Sequence, residues 1–278
     1  MSMREPGAKR HRLPESDDAI SREPVGARMT ATAVSAFPGA LPDTMAQAYA
    51  IQAASTGWLD AVAGWKVGLL PQSAPKRHLS ERLADPIFGS RILDVATGSS
   101  TVMPVYIGGF AAVEAEFIFR LGKSVRPVDR QWTEEELVDV VAGLHVGAEI
   151  ASSPTAEINS VGPTVVVSDF GNKAGLLLGP EIPDWQTKRP EDIPAGTVVD
   201  GEIIGEASAA AIQDGPIGAL RLNLALSAAR GLELPAGSLD STGASWGIHD
   251  VEMTSTSRLE FGEYGSFEVT YEPMLGWQ

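Results

Sequence analysis

The amino-acid sequence predicts an α+β protein, and three local patterns support this interpretation. Residues 113–119 place two acidic side chains on one face of an extended segment and apolar side chains on the other. Residues 41–57 and 217–230 carry apolar side chains at spacings of three and four, which is typical of helices. The dipeptide Asp200-Gly201 predicts the turn of a β-hairpin. Both helices and strands are therefore expected.

The composition is that of an ordinary globular protein. The chain has 278 residues, of which 44% are hydrophobic and 21% charged, enough for one large domain or two modest ones. Cysteine is absent, which excludes disulfides, thiolate catalysis and metal sites with cysteine ligands. We see neither an apolar run of roughly 18 residues, as a membrane span needs, nor a secretory signal. We therefore expect a cytoplasmic protein that does not bind membranes.

Acidic side chains outnumber basic ones. The chain has 36 Asp and Glu against 21 Lys and Arg, a formal net charge of -15 at pH 7. A broad basic surface is therefore not expected, and neither is binding to nucleic acid. A small anionic substrate remains compatible, because one buried lysine or a metal ion determines the local field more strongly than distant surface acids.

Further local signals predict individual elements. Residues 133–144 begin with a capping box and continue with an apolar face, as a helix does. Residues 85–89 contain Pro and Gly and are expected to form a turn. The apolar runs 165–167 and 176–178 predict two strands joined by a polar loop that contains glycine. The basic residues 75–78 either gate a site or are solvated surface.

Glu114 and Glu116 are the first candidate site residues. In a strand they point to the same face, where two close carboxylates repel each other and raise each other's pKa unless a cation lies between them. A hard divalent ion with oxygen ligands is a natural cation for this purpose. The alternative is a half-solvated strand whose polar face carries two glutamates.

Two further ionisable residues lie inside apolar segments. Lys66 lies in the short glycine-flanked segment 64–69, so its ammonium group either reaches solvent at an edge strand or faces a polar pocket. Glu149 lies in the apolar segment 145–150 and supplies a third acid.

Six separated segments together resemble the 2-keto-4-pentenoate hydratase group, which includes 2-oxo-4-oxalocrotonate decarboxylases and belongs to the fumarylacetoacetate hydrolase superfamily. No single segment is specific, but all six occur in the family's order between about residue 40 and the carboxyl end. The segments are Ala48-Tyr49-Ala50-Ile51-Gln52, Gly64-Trp65-Lys66-Val67-Gly68-Leu69, Val113-Glu114-Ala115-Glu116, Ala148-Glu149-Ile150, Asp169 through Gly179, and Ser241-Thr242-Gly243.

The resemblance implies a mixed β roll or barrel of the fumarylacetoacetate hydrolase type with flanking helices. Residues 1–35 lack apolar periodicity and are expected to form a disordered tail. The family pattern then implies an N-terminal α/β region at residues 36–100 and a β-rich catalytic domain at residues 101–278. Members of the family usually form homo-oligomers.

The resemblance also assigns roles to individual residues. It implies that Glu114, Glu116 and Glu149 bind Mg²⁺ or Mn²⁺, which agrees with the preference of these ions for oxygen ligands. Lys66 matches the lysine near the substrate, where it pairs with a carboxylate or transfers a proton. Asp169 matches an acid that is expected to position a ligand or water.

The same comparison identifies a substrate-binding turn and one departure from the family pattern. Thr242 and Gly243 resemble the turn that closes over the substrate. Hydratases of this group usually carry Asp in a Pro-Asp-aromatic-Gly turn, but Ile87 occupies that position here. Asp85 or Asp94 could replace the missing acid, although a shift of one residue reverses the side-chain direction in an extended segment.

These observations predict a metal-dependent lyase that acts on a 2-oxo acid. The reference reaction is the hydration of a compound like 2-hydroxypenta-2,4-dienoate, in the catabolism of aromatic or related compounds. Decarboxylation or carbon–carbon hydrolysis of acylpyruvate-like or oxalocrotonate-like acids through the same enolate is the alternative enzyme class. A non-catalytic protein that binds a small acid is the third hypothesis, because the usual acid at position 87 is missing.

Overall fold

The computed structural model describes residues 15–37, 40–69 and 82–276, with side-chain surroundings from residue 21 onward. Its helices are α1 (Glu15–Thr30), α2 (Met45–Thr56), α3 (Glu134–Val140), α4 (Ile158–Val161), α5 (Pro163–Ser168) and α6 (Gly215–Ala229). Its strands are β1 (Val62–Leu69), β2 (Arg82–Phe88), β3 (Ile92–Asp94), β4 (Ser100–Val105), β5 (Phe110–Leu121), β6 (Val141–Ser153), β7 (Lys173–Glu181), β8 (Pro194–Val199), β9 (Glu202–Ser208), β10 (Leu239–Ser241), β11 (His249–Asp250), β12 (Thr256–Glu260) and β13 (Ser266–Pro273). No helix within these residues is long and apolar enough to cross a membrane.

The larger sheet brings distant parts of the chain together. Its strands lie in the order β2-β1-β10-β5-β6-β7-β3, and β11 pairs with another part of β5. The short strand β10 lies between β1 and β5, parallel to β1 and antiparallel to β5. Strands from both sides of residue 100 therefore share one sheet, and a division into two domains at that residue stays a prediction.

The smaller sheet packs against the larger one through the main apolar core. Its strands lie in the order β4-β13-β12-β8-β9. The predicted hairpin joins β8 to β9, and its turn has positive φ at Asp200 (52°) and Gly201 (84°). Phe117 of the larger sheet and Phe267 of the smaller sheet belong to the same buried apolar cluster. The predicted α+β class, with a mixed β-sheet and flanking helices, is confirmed.

The segment before residue 36 differs from the predicted disordered tail. Residues 15–30 form α1, where Val25 packs with Phe88 and Phe170, and Val34 forms a β-bridge with Thr155. The helix has little amphipathic pattern of its own, so its stability comes from contacts with the rest of the protein, which the sequence pattern does not show. The prediction is wrong for residues 15–35, and residues 1–14 lie outside the described part.

Two predicted elements have a different conformation. Residues 85–89 were expected to form a turn, but most of them belong to β2, which is the edge strand beside β1. An edge strand tolerates Pro86, because one side of its backbone has no ladder partner. Residues 165–167 form the helix α5 rather than a strand, and this helix begins at Pro163 after Gly162, which has φ 131°.

One predicted helix is shorter than expected, and one predicted loop cannot be compared. The helix after Thr133 has the predicted capping box, but it ends at Val140, and Val141 begins β6. The basic segment 75–78 lies outside the described residues.

Candidate active site

Three glutamate side chains meet on one face of the larger sheet. Glu114 and Glu116 lie two residues apart on β5, and Glu149 on β6 is the antiparallel register partner of Glu114. Opposite residues of such a pair point to the same face, and so do residues two apart on one strand. All three side chains are buried, with at most 1% exposure. The structure thus brings the three predicted acids together, and their role as metal ligands stays a prediction.

Lys66 lies between the three carboxyl groups. Its Nζ is 3.1 Å from Glu114 Oε2, 3.1 Å from Glu149 Oε2 and 3.7 Å from Glu116 Oε1. The register explains this position, because Lys66 pairs with Ser241 of β10, which separates β1 from β5. Ser241 Oγ in turn donates to Glu116 Oε2. Lys66 therefore faces the polar centre, and the alternative of an edge-strand lysine in solvent is excluded.

A second buried lysine, Lys173, contacts the same centre. It begins β7, and its Nζ donates to Glu149 Oε2. The ladder between β6 and β7 is irregular at this point: Ala151 pairs with Lys173, and Ala174 is an extra residue in β7. Bulges of this kind change the direction of neighbouring side chains. The bulge therefore places Lys173 on the face of Glu149.

The three carboxyl groups differ in acidity although all are buried. Burial raises the pKa of Glu114 to about 8. Burial also raises the pKa of Glu116, against the opposing charge of Lys66. For Glu149 burial acts in the same direction, but the ammonium groups of Lys173 and Lys66 outweigh it and lower the pKa below its ordinary value. Glu149 is thus the most firmly ionised of the three.

The acidity of Lys66 is also set by these charges. Burial lowers its pKa, but the carboxyl groups of Glu114, Glu149 and Glu116 outweigh burial and raise the pKa well above the ordinary value. A metal ion next to Lys66 would lower its pKa. The protein's own charges act in the opposite direction and keep Lys66 protonated.

The donor atoms fit a hard divalent cation in one important respect. Glu114, Glu116 and Glu149 each have an Oε1 atom that is buried and has no hydrogen-bond partner. Buried polar atoms normally have a hydrogen-bond partner, so three such oxygens in one cluster form a donor set that suits a hard cation. As the side chains stand, no group of three or more His, Asp or Glu residues in the described chain forms a ready-made metal site. Lys66 lies between the carboxylates and keeps them apart, and side chains of this length can move when a cation binds.

A cavity of about 500 Å³ opens next to the carboxylates. Lys66, Asp85 and Glu114 form part of its polar lining, and Val166 and Ile212 form part of its apolar lining. A cavity of this size accommodates a small organic acid with a short carbon chain.

No protein-family model matches the sequence, and a search of curated proteins finds no match either. Solved structures resemble it over most of its length. The 4-oxalocrotonate decarboxylase from Pseudomonas putida G7, in complex with magnesium and adipate, has a TM-score of 0.76 at 16% identity, covering 95% of this chain and 100% of that chain. The chain has the fumarylacetoacetate hydrolase-type fold.

Two further structures with this fold show lower similarity. Fumarylpyruvate hydrolase from Pseudomonas aeruginosa, in complex with Mn²⁺ and pyruvate, has a TM-score of 0.55 at 18% identity, covering 75% of this chain and 88% of that chain. The 2-hydroxyhepta-2,4-diene-1,7-dioate isomerase from Mycobacterium marinum has a TM-score of 0.52 at 17% identity, covering 77% of each chain.

The structure distinguishes between Asp85 and Asp94, the two candidates to replace the acid that is missing at position 87. Ile87 is buried in a small apolar cluster, and Asp94 is exposed on β3. Asp85 pairs in register with Lys66, lines the cavity and accepts a hydrogen bond of 2.8 Å from Gln52 Nε2 at Oδ1. Burial raises the pKa of Asp85 to about 7. Of the two candidate acids, Asp85 is therefore the one that lines the cavity.

Asp169 has a structural environment that differs from its predicted role. Its two carboxylate oxygens accept hydrogen bonds of 2.9 and 2.8 Å from the Arg28 guanidinium. Arg28 is fully buried and lies 5.6 Å from the ring centroid of Tyr106 and 5.4 Å from that of Phe170. We call the contact between Arg28 and Asp169 the Arg28 clamp. It holds the turn before Lys173, in which Phe170, Gly171 and Asn172 all have positive φ. A role of Asp169 in catalysis stays a prediction, and its contacts favour support of the turn.

Thr242 and Gly243 lie in the cavity lining, as expected of a substrate-binding turn. Thr242 exchanges hydrogen bonds with Phe117, since its backbone N–H donates to the Phe117 carbonyl and its Oγ1 accepts from the Phe117 N–H. Gly243 has φ 81°, and a Cβ there would lie 2.3 Å from the Val67 carbonyl oxygen. The turn is therefore fixed to both β1 and β5, and substrate contact by these residues stays a prediction.

Sequence reasoning missed three residues that shape the site. Lys173 could have been found, because it precedes an apolar run as Lys66 lies within one. Gln52 lies in a segment that resembles the family, but nothing there indicates that it donates to Asp85. Arg28 lies in a segment without periodicity, and no sequence signal indicates its contact with Asp169.

Proposed function

We propose that this protein is a metal-dependent enzyme that acts on a 2-oxo acid, with hydration of a 2-hydroxypenta-2,4-dienoate-like compound as the first candidate reaction. The observation that carries the proposal is the buried cluster of Glu114, Glu116 and Glu149, each with one oxygen that has no hydrogen-bond partner, beside a cavity lined by Lys66. The fold agrees with it, because structures of this fold include one complexed with magnesium and adipate and one complexed with Mn²⁺ and pyruvate.

The Oε1 atoms of Glu114, Glu116 and Glu149, which have no hydrogen-bond partner, would hold Mg²⁺ or Mn²⁺. When bound, such an ion supplies positive charge to the keto oxygen and carboxylate of a 2-oxo acid and stabilises the negative charge of enolisation.

Lys66 is the protonated donor of the site. Its ammonium group lines the cavity and is raised in pKa by the surrounding carboxylates, so it carries a proton at neutral pH. A positive N–H donor in this position pairs with the substrate carboxylate or donates to the enolic oxygen.

Asp85 is the group best suited to proton transfer. With a pKa of about 7, both protonation states are populated near neutral pH, as general acid–base catalysis requires. The protonated carboxyl group can protonate the terminal carbon of the dienol while the enol hydroxyl releases its proton to solvent, which gives a conjugated 2-oxo acid. The carboxylate can then take a proton from the water that adds to the conjugated double bond, and the resulting enolate takes a proton from solvent at the carbon next to the carbonyl group. Gln52 keeps one oxygen engaged, which orients the other toward the reaction.

Decarboxylation or carbon–carbon hydrolysis is the second candidate, since both pass through the same enolate. Two observations favour it. An acid is missing from the usual hydratase position at Ile87, which is buried in an apolar cluster. The fold similarity to 4-oxalocrotonate decarboxylase also covers nearly the whole of both chains.

The test is spectrophotometric turnover of a panel of dienoates, acylpyruvates and oxaloacetate-like acids by wild type and Lys66→Ala in the presence of Mg²⁺. We expect one class to be turned over and kcat for it to fall by roughly 10²–10⁴-fold in the variant, as for loss of an acid–base group. The matched control is Lys123→Ala, because Lys123 is exposed and pairs only with the exposed Asp139 in the described structure. Turnover of dienoates alone supports hydration, and turnover of the other acids supports cleavage. Full activity of Lys66→Ala would show that the role proposed for Lys66 is wrong.

A small-acid-binding protein without catalysis is the remaining hypothesis. Calorimetry with Mg²⁺ and with oxalate, which mimics a planar enolate, separates it from the enzyme proposals. Oxalate binding without turnover of any panel member would favour this hypothesis. A homo-oligomer remains a proposal that rests on the family resemblance, and a cytoplasmic location remains a proposal that rests on the composition and local patterns of the sequence.

A further inference from the structure

Glu149 is shared between two ammonium groups. Its Oε2 atom accepts from Lys173 and lies 3.1 Å from Lys66 Nζ, whereas its Oε1 atom has no partner. A cation that binds this carboxylate through Oε1 would therefore be separated from the Lys173 ammonium only by the carboxylate group itself. Lys173 is 2% exposed, so solvent does not screen this interaction.

The charge balance of the centre depends on Lys173. With all three carboxyl groups ionised, as binding of a cation requires, the two ammonium groups leave one net negative charge, and a divalent cation converts this into one net positive charge. Without Lys173 the same loaded centre would be neutral. Charges interact more strongly in a buried site than in water. The Lys173 ammonium group therefore repels the cation and attracts an anionic ligand.

The position of Lys173 does not depend on its ammonium group alone. Its carbonyl oxygen accepts a hydrogen bond of 2.9 Å from Arg28 Nη1, and its backbone pairs with Ala151 of β6. Removal of the charge should therefore leave the strand in place, so that an electrostatic effect can be measured separately from an effect on folding.

We propose that Lys173 sets the charge of the metal centre, so that it weakens binding of the divalent cation and strengthens binding of an anionic 2-oxo acid to the cation-loaded centre. This inference rests on the proposed function, because it requires a cation at the three glutamates. Lys173 is a positioning and charge-setting residue in this proposal, since it acts through Glu149 and is not among the described residues that line the cavity.

The test is isothermal titration calorimetry of Lys173→Met and wild type, first with Mg²⁺ and then with oxalate at saturating Mg²⁺. We expect the Kd for Mg²⁺ to fall by roughly tenfold and the Kd for oxalate to rise by roughly tenfold, since one unit charge changes in a buried centre. A residue that only supports the structure would weaken both equilibria when removed. The opposite signs therefore identify the electrostatic role.

Three control variants accompany this experiment. Lys173→Arg retains the charge and should keep both Kd values near those of wild type. Lys123→Met removes one positive charge from an exposed site and should change neither Kd, which controls for net charge. Lys173→Gln removes the charge but retains an N–H donor for Glu149, and it replaces the Met variant if that variant does not fold.

Each outcome decides between the proposals. Weaker binding of both ligands, or no change in Mg²⁺ affinity, overturns the role of Lys173. Equal Mg²⁺ binding by wild type and variant rejects only this inference and leaves the proposed metal centre standing. Mg²⁺ binding by the Lys173 variant but not by wild type supports the proposed role of Lys173 in its strongest form. No Mg²⁺ binding by either protein defeats the proposed metal centre and this inference together.

Discussion

The three glutamates at the centre of this site differ in pKa because their neighbours differ. Burial raises the pKa of Glu114 to about 8, whereas two ammonium groups lower that of Glu149. The sequence shows the three acids and Lys66, because period-two alternation and apolar surroundings are visible there. The apolar run after Lys173 makes this residue visible as a candidate, but the sequence does not show its direction, which depends on a bulge at Ala174.

Asp85→Asn tests the proton-transfer role at the scale of a single residue. We expect kcat to fall by roughly 10²–10⁴-fold, because an amide cannot exchange a proton, with little change in Mg²⁺ affinity. The Asn carbonyl can still accept from Gln52, so the side chain should keep its position. Steady-state kinetics and calorimetry on the same preparation give the two values.

Asp94→Asn is the matched control for Asp85→Asn, because Asp94 is exposed on β3. Wild-type turnover by Asp85→Asn would reject this assignment. The sequence left the choice between Asp85 and Asp94 open, since it did not show that residues 85–88 are part of an edge strand and therefore did not fix the direction of either side chain.

At the scale of elements, local chemistry predicted one helix start and one hairpin turn, but it did not predict every turn, helix end or element type. The capping box at Thr133 and the hairpin turn at Asp200 are both present. The β-branched run Val165–Val167 favours a strand, but Gly162 and Pro163 begin a helix there. The helix α1 was missed because its stability comes from contacts made by Val25 and Arg28 across the fold.

Arg28→Ala tests the contribution of α1. We expect the free energy of unfolding to fall by about 3–5 kcal/mol, since the buried Asp169 carboxylate would lose its charged partner. Urea unfolding followed by circular dichroism measures this change. Arg189→Ala is the control, because Arg189 pairs with Asp192 at an exposed position and its loss should leave stability unchanged. A stability loss no larger than that of the control would contradict the importance assigned to the Arg28 clamp.

At the scale of the whole molecule, the α+β class followed from the sequence, but the strand order did not. Nothing in the segments around Lys66 and Ser241 indicates that β10 lies between β1 and β5. Such pairings connect residues far apart in the chain, and local patterns carry no information about them. The formal net charge of -15 can be read from the sequence. Repulsion between these charges lowers the stability of the folded molecule.

Mg²⁺ is expected to stabilise the folded protein beyond its effect on ionic strength. A ligand that binds only the folded state adds about 2.7 kcal/mol at 100 times its Kd. Thermal unfolding in MgCl₂ should therefore show a higher Tm than in NaCl of equal ionic strength, which screens the net charge to the same extent. Glu149→Gln should lose the Mg²⁺-specific part of the increase. Equal Tm values in the two salts would argue against a metal centre.

The place of β10 in the sheet has a consequence for biosynthesis. Lys66 is translated early, but the strand that holds β1 beside β5 consists of residues 239–241. On the ribosome, the first two hundred or so residues emerge without this connector, so the nascent chain cannot complete the sheet. The centre around Glu114 and Glu116 is therefore assembled only after residues 239–241 have emerged, and until then these two glutamates lack Lys66 as a partner.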